Sequence, residues 1–140
     1  MNEAADRSRK AGMEENVKAV FISSYINHHQ IPFSNALYEQ LGDDYHFIQT
    51  EPMEEERIAM GWGLDAATLP YVVWADREEE RCRKLIEEAD LVFAGWTKRL
   101  DLVLPRLSSG KLTFRVSERI YREGQWKAIA PKGLLAKFKE

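Results

Sequence analysis

The sequence predicts an α/β fold: a Rossmann-like open parallel sheet with helices on both faces. Three observations carry this. Short apolar runs of strand length recur at residues 17–24, 45–50, 71–74, 91–93 and 111–116. The first is continuously apolar through Val20, Phe21 and Ile22, the mark of a strand buried on both faces. Between the runs lie helix-length stretches, and strands alternating with helices favour a parallel sheet with right-handed crossovers.

Each element has a local reason. Residues 1–16 are polar, lack the apolar stretch of a secretory signal, and read as a disordered lead-in to a domain at 17–140. Pro32 suits the first turn of a helix that runs to about Leu41, with Ile31, Phe33, Leu37 and Leu41 as its inner stripe. Gly42 ends it, and Asp43-Asp44 turns into the second strand, which carries His46. Glu51-Pro52 closes that strand. Residues 53–60 predict a short acidic helix, broken by Gly61-Trp62-Gly63. Pro70 leads into the third strand. Residues 76–89 predict a strongly charged helix, and 100–107 a helix that Pro105 interrupts unless it lies near an end. Ser108-Ser109-Gly110 turns into the fifth strand. Pro131 opens a final short helix carrying Leu134, Leu135 and Phe138 among lysines, a pattern suited to docking on its own domain or to an anionic membrane surface.

With 44% hydrophobic and 31% charged residues the chain has the composition of a soluble domain, so the expected location is the cytoplasm. No apolar run is long enough to span a bilayer. The only cysteine, Cys82, excludes an internal disulfide and sits in a charged helical stretch with no histidine close in sequence. The net charge of −3 hides a polarity: 9 Lys and Arg stand against 19 Asp and Glu up to Trp96, and 11 against 4 from Thr97 onward. A basic C-terminal third suits an anionic partner such as a phosphate or a membrane face, or a solvated surface facing acidic helices. The acidic total argues against nucleic acid.

The chemistry-bearing stretch is Ser23-Ser24-Tyr25-Ile26-Asn27-His28-His29-Gln30, where the first strand gives way to a helix. Ligands of open α/β sheets bind beyond the carboxyl ends of the strands. His28 or His29 is a candidate general base toward a sugar hydroxyl, or a hydrogen-bond donor to a phosphate. Adjacent histidines lack the spacing that sets two metal ligands on one helical face, so no metal is expected. Glu51 after the second strand, Gly95 after the fourth, and Glu118 with Arg119 after the fifth fall at the same edge. Arg119 could clamp an anion and Glu118 accept from hydroxyls, or the two could pair with each other. Gly95 would admit the backbone close to a ligand, or simply turn the chain. Trp62, Trp96, Tyr121 and Trp126 lie in loop-like stretches where aromatic faces stack on sugars or cover a core edge. Neither a dinucleotide-binding G-x-G-x-x-G, nor a P-loop, nor a G-x-S-x-G elbow is present.

Four segments together carry a resemblance: Ser24-Tyr25-Ile26-Asn27-His28-His29-Gln30-Ile31-Pro32, Phe47-Ile48-Gln49-Thr50-Glu51-Pro52-Met53, Phe114-Arg115-Val116-Ser117-Glu118-Arg119-Ile120-Tyr121 and Glu123-Gly124-Gln125-Trp126-Lys127. In combination they resemble the N-terminal half of bacterial GT-B glycosyltransferases of capsular and exopolysaccharide assembly. Residues 96–105 depart from that pattern. The resemblance implies an acceptor-binding domain facing a nucleotide-sugar-binding domain across a cleft, with metal-independent transfer and no cofactor. It implies that Asn27, His28, His29, Glu118 and Arg119 face the cleft and that the acceptor is a glycan or a lipid-linked sugar. It also implies that the donor domain and the last strands of the sheet are missing, so that the chain alone is inactive. The basic tail would then lie peripherally at the inner face of a membrane. Two other readings fit the residues: a non-catalytic module that recruits a separate donor-domain subunit to a membrane, and a flavodoxin-like domain that binds a flavin or nucleotide.

Overall fold

A computed structural model describes residues 16–117. The five apolar runs form one parallel sheet: β1 (Ala19–Ser23), β2 (Tyr45–Gln49), β3 (Val72–Trp74), β4 (Leu91–Ala94) and β5 (Leu112–Arg115). Their order is β3-β2-β1-β4-β5, with every neighbouring pair parallel. This is the predicted Rossmann-like open sheet. The most continuously apolar strand, β1, is central and buried throughout.

Side-chain alternation along the strands divides the core in two. One face carries Val20, Ile22, Ile48, Val73, Val92 and Ala94 and receives Cys82, Leu85 and Ile86 of helix α3 (Glu79–Glu88). Leu102 and Val103, from the turn before α4 (Leu104–Ser108), complete it. The other face carries Ala19, Phe21, Tyr45 and Phe47 and receives Ile31, Leu37, Tyr38 and Leu41 of α1 (Ile31–Leu41). Helices therefore cover both faces, as the alternation predicts.

Register places one phenylalanine on each of four adjacent strands. Phe21 pairs with Phe47 and Phe93, and Phe93 with Phe114. Their rings stack at centroid distances of 5.1, 6.0 and 5.6 Å, and Phe33 meets Phe93 edge-on at 5.4 Å. Phe33 thus touches the core as predicted but remains 43% exposed. The fully buried residue of α1 is instead Ser34, whose hydroxyl hydrogen-bonds the phenol of Tyr45 at 2.7 Å. Burial pushes that phenol far above its usual range.

Two predicted helices are altered. The helix expected over 53–60 starts at Glu55 as a single α turn, α2 (Glu55–Arg57), and continues as a π-type turn at Ile58–Trp62 that leaves helical geometry at Gly61. The stretch 100–107 splits into a 3₁₀ turn at Leu100–Leu102 and α4, in which Pro105 occupies the first turn, where no amide is required. No helix among the described residues is long and apolar enough to cross a membrane.

Arg106 ties the second half together. It is 3% exposed, and its guanidinium donates to Ile86 O and Ala89 O, both at 2.7 Å, to Leu112 O at 3.0 Å and to Thr113 Oγ1 at 3.1 Å. The first two acceptors lie at the carboxyl end of α3, and Lys111 Nζ donates to a third there, Glu87 O. Helix carbonyls that would be orphaned are satisfied by cations at the negative end of the dipole.

Candidate functional site

The strand order reverses direction beside β1: the chain leaves β1 toward β2 and leaves β4 toward β5. The connections diverge there, and the divergence opens a crevice at the carboxyl ends. A cleft of about 470 Å³ occupies this position, bordered by Ser23, Ser24, Asn27, Arg57, Trp96 and Ser117 and also touched by Phe21, Tyr25, Gln30, Gly95 and Val116.

Backbone bonds hold its floor. Ser24 N donates to Trp96 O at 2.7 Å and Gly95 N to Ile22 O at 2.8 Å, joining the ends of β1 and β4. Glu51 N donates to Ser24 O at 2.7 Å, joining the end of β2. Buried Gln49 braces the loop after β1, accepting from Ile26 N at 3.3 Å and donating to Glu51 O at 3.1 Å. The Thr50 and Thr97 hydroxyls meet at 2.6 Å across the same edge.

Asn27 shapes the loop. Its Oδ1 accepts from His29 N at 3.0 Å, and its carbonyl accepts from Gln30 N and Ile31 N. This local turn starts α1 and projects His28 and His29 outward. Both imidazoles are exposed, with ring centroids 4.0 Å apart. Trp62 stands edge-on 4.8 Å from His28. Gly61, at φ 84°, takes the left-handed bend that precedes Trp62. The Arg57 guanidinium lies 5.2 Å from the Trp62 ring and 5.9 Å from that of Tyr25. Histidines, tryptophan, arginine and tyrosine form one row along the cleft's rim.

The residues singled out from sequence fare differently. Asn27 lines the cleft, and His28 and His29 flank it through Trp62 rather than lining it. Glu51 reaches the edge but turns toward the β4 connection, where its carboxylate accepts from Lys98 N at 3.1 Å and faces Lys98 Nζ at 3.9 Å. It is a strand-end clamp. Gly95 lies in the cleft wall, but its lack of a side chain serves the protein itself. A Cβ there would stand 2.7 Å from Ser23 Oγ and 3.0 Å from Ser23 Cβ. Glu118 and Arg119 lie outside the described residues, as do Tyr121, Trp126 and the tail 131–140. Among the described residues no three His, Cys, Asp or Glu side chains converge.

No family model, curated protein or solved structure matches the chain. What the cleft can do is read from its own groups. Neutral hydrogen-bonding side chains and aromatic rings dominate it, a lining suited to a hydroxyl-rich ligand. Arg57 is the contributor that sequence inspection overlooked. Its signal was its isolation, since no other Lys or Arg occurs between Lys18 and Arg77.

A second hollow of about 480 Å³ lies between α3 and α4, away from the switch point. Its most buried polar group is the Arg106 guanidinium, already committed to backbone carbonyls.

Proposed function

We propose that the chain is the acceptor-binding domain of a GT-B-type glycosyltransferase that moves a sugar from a nucleotide-sugar donor to a glycan or lipid-linked acceptor. The observation that carries this reading is the switch-point cleft, with neutral polar and aromatic walls and the His28–His29 pair beside it. The four-segment resemblance supports it independently.

In this reading the acceptor's sugar ring rests against Tyr25 and Trp96, and its hydroxyls bond to Ser24, Asn27 and Gln30. A donor-binding domain across the cleft holds the nucleotide-sugar. The acceptor oxygen attacks the anomeric carbon, the bond from that carbon to the nucleoside diphosphate breaks, and the diphosphate leaves with the electron pair. His28 or His29 takes the acceptor's proton. The basic tail faces the membrane that carries a lipid-linked acceptor.

The test is kinetic. In an enzyme assembled with its donor domain, His28→Ala and His29→Ala are made singly and together. Loss of the base lowers turnover by about 10²–10⁴-fold, with the thermal unfolding unchanged. Undiminished turnover in the double variant would remove the pair from the mechanism.

A further inference from the structure

We infer that the saccharide taken by the switch-point cleft carries an anionic group, a carboxylate or a phosphate ester, received by Arg57 on one rim and Lys98 on the other. This rests on the saccharide reading above.

Of the described side chains bordering the cleft, Arg57 alone is charged, and it is positive in the part of the chain where acidic residues outnumber basic ones 19 to 9. Arg57 comes from the β2–β3 connection and Lys98 from the β4–β5 connection, so the two cations approach from the two sides of the divergence. Each lies by an aromatic wall of the cleft. The Arg57 guanidinium is 5.9 Å from the Tyr25 ring, and Lys98 Nζ is 6.0 Å from that of Trp96. Rings at such distances hold a cation without neutralising it.

The carboxylate partner of Arg57 is one a ligand can displace, and that of Lys98 stands beyond hydrogen-bond distance of Nζ. Glu54 meets Arg57 at 3.3 Å with its own side chain 68% exposed, and Glu51 meets Lys98 Nζ at 3.9 Å. The exposed Arg57–Glu54 pair contributes little, whereas Glu51, its side chain 23% exposed, stays clamped by Lys98 N and only approaches the exposed Lys98 Nζ. A carboxylate or phosphate offers the Arg fork two parallel acceptors, a stronger interaction than a hydroxyl provides. The remaining polar border, Ser24, Asn27, Gln30 and Ser117, is neutral and matches hydroxyls. The combination selects a polyol bearing one anion rather than a bare anion.

The test is calorimetric, on the full chain, with three matched oligosaccharides ending in glucose, glucuronate or glucose 6-phosphate, and with inorganic phosphate alone. At least one anionic form binds about tenfold or more tightly than the neutral one, as one charge-assisted hydrogen bond implies. The advantage shrinks at high salt. In the Arg57→Gln/Lys98→Gln variant the advantage disappears, so that anionic and neutral saccharides bind alike. Lys98 is exposed and Arg57 half-buried, so a matching thermal melt verifies that the fold is intact. The stronger of the two anionic arms identifies the group. Equal affinity for all three saccharides overturns the inference and leaves the saccharide reading standing. Inorganic phosphate binding as tightly as the sugar phosphate also overturns it. Binding of no saccharide by the folded chain overturns both.

Discussion

At the residue scale, one small group of contacts shapes the cleft and another ties the second half of the domain together. Gly95 and Ser23 touch where β1 and β4 end, and a Cβ on residue 95 would meet a short side chain with no room to swing away. Gly95→Ala should therefore cost about 1–3 kcal/mol in urea unfolding, and Ser23→Gly should restore part of it in the double variant. Arg106→Met should cost about 3 kcal/mol, because it strips donors from buried carbonyls of Ile86 and Ala89 and from Leu112 O. Replacement without measurable loss would show that those carbonyls find other partners. The importance of Gly95 was legible in the sequence, but its reason was not: a partner 72 positions away along the chain is invisible until the strands pair. Asn27 was legible because its hydrogen bonds are local. Arg57 was not, because the crossover after β2 is what carries it to the loop after β1.

At the element scale, α3 and the turn after β4 share an exposed network of Glu79, Arg83, Arg99 and Asp101, with Arg99 Nε 2.9 Å from Asp101 and Arg83 Nη2 2.7 Å from Glu79. The hydrogen bonds from Arg99 and then Arg83 hold the Asp101 carboxyl down at about 2, below its ordinary 3.8. A carboxyl depressed in the folded state contributes stability that is whole above the unfolded value and is lost as pH falls through the folded one. Thermal melts should fall by a small, salt-sensitive amount between about pH 4 and pH 2, and Asp101→Asn should abolish that component. Cys82, on the inner side of α3, has its thiol pushed up to about 11 by burial. It should react with a thiol reagent only once the domain unfolds, and prompt labelling of the native chain would contradict its packing. Strand positions and α1 were readable because burial imposes its period on the sequence. The short acidic helix expected over 53–60 begins at Glu55 and departs from helical geometry at Gly61, as the glycines imply, but its widening into a π-type turn beside the histidines was not legible.

At the scale of the whole molecule, five short parallel strands in the order β3-β2-β1-β4-β5 set two connections diverging beside β1. The sheet class followed from alternating strands and helices, but the strand order depends on pairing between distant segments and could not be read locally. That order gathers Ser24, Asn27, Arg57 and Trp96 around one cleft and leaves the His28–His29 pair at its rim. The central claim is that this cleft, rather than the hollow between α3 and α4, takes a saccharide. The most direct measurement is a titration of the isotopically labelled full chain with a soluble oligosaccharide, followed by amide and side-chain NMR. The account predicts saturable shifts at Ser24, Asn27, Gln30, Arg57 and the Trp96 indole, with Ile86, Arg106 and Ser109 unmoved. Shifts confined to the second group, or none at saturating saccharide, would contradict it.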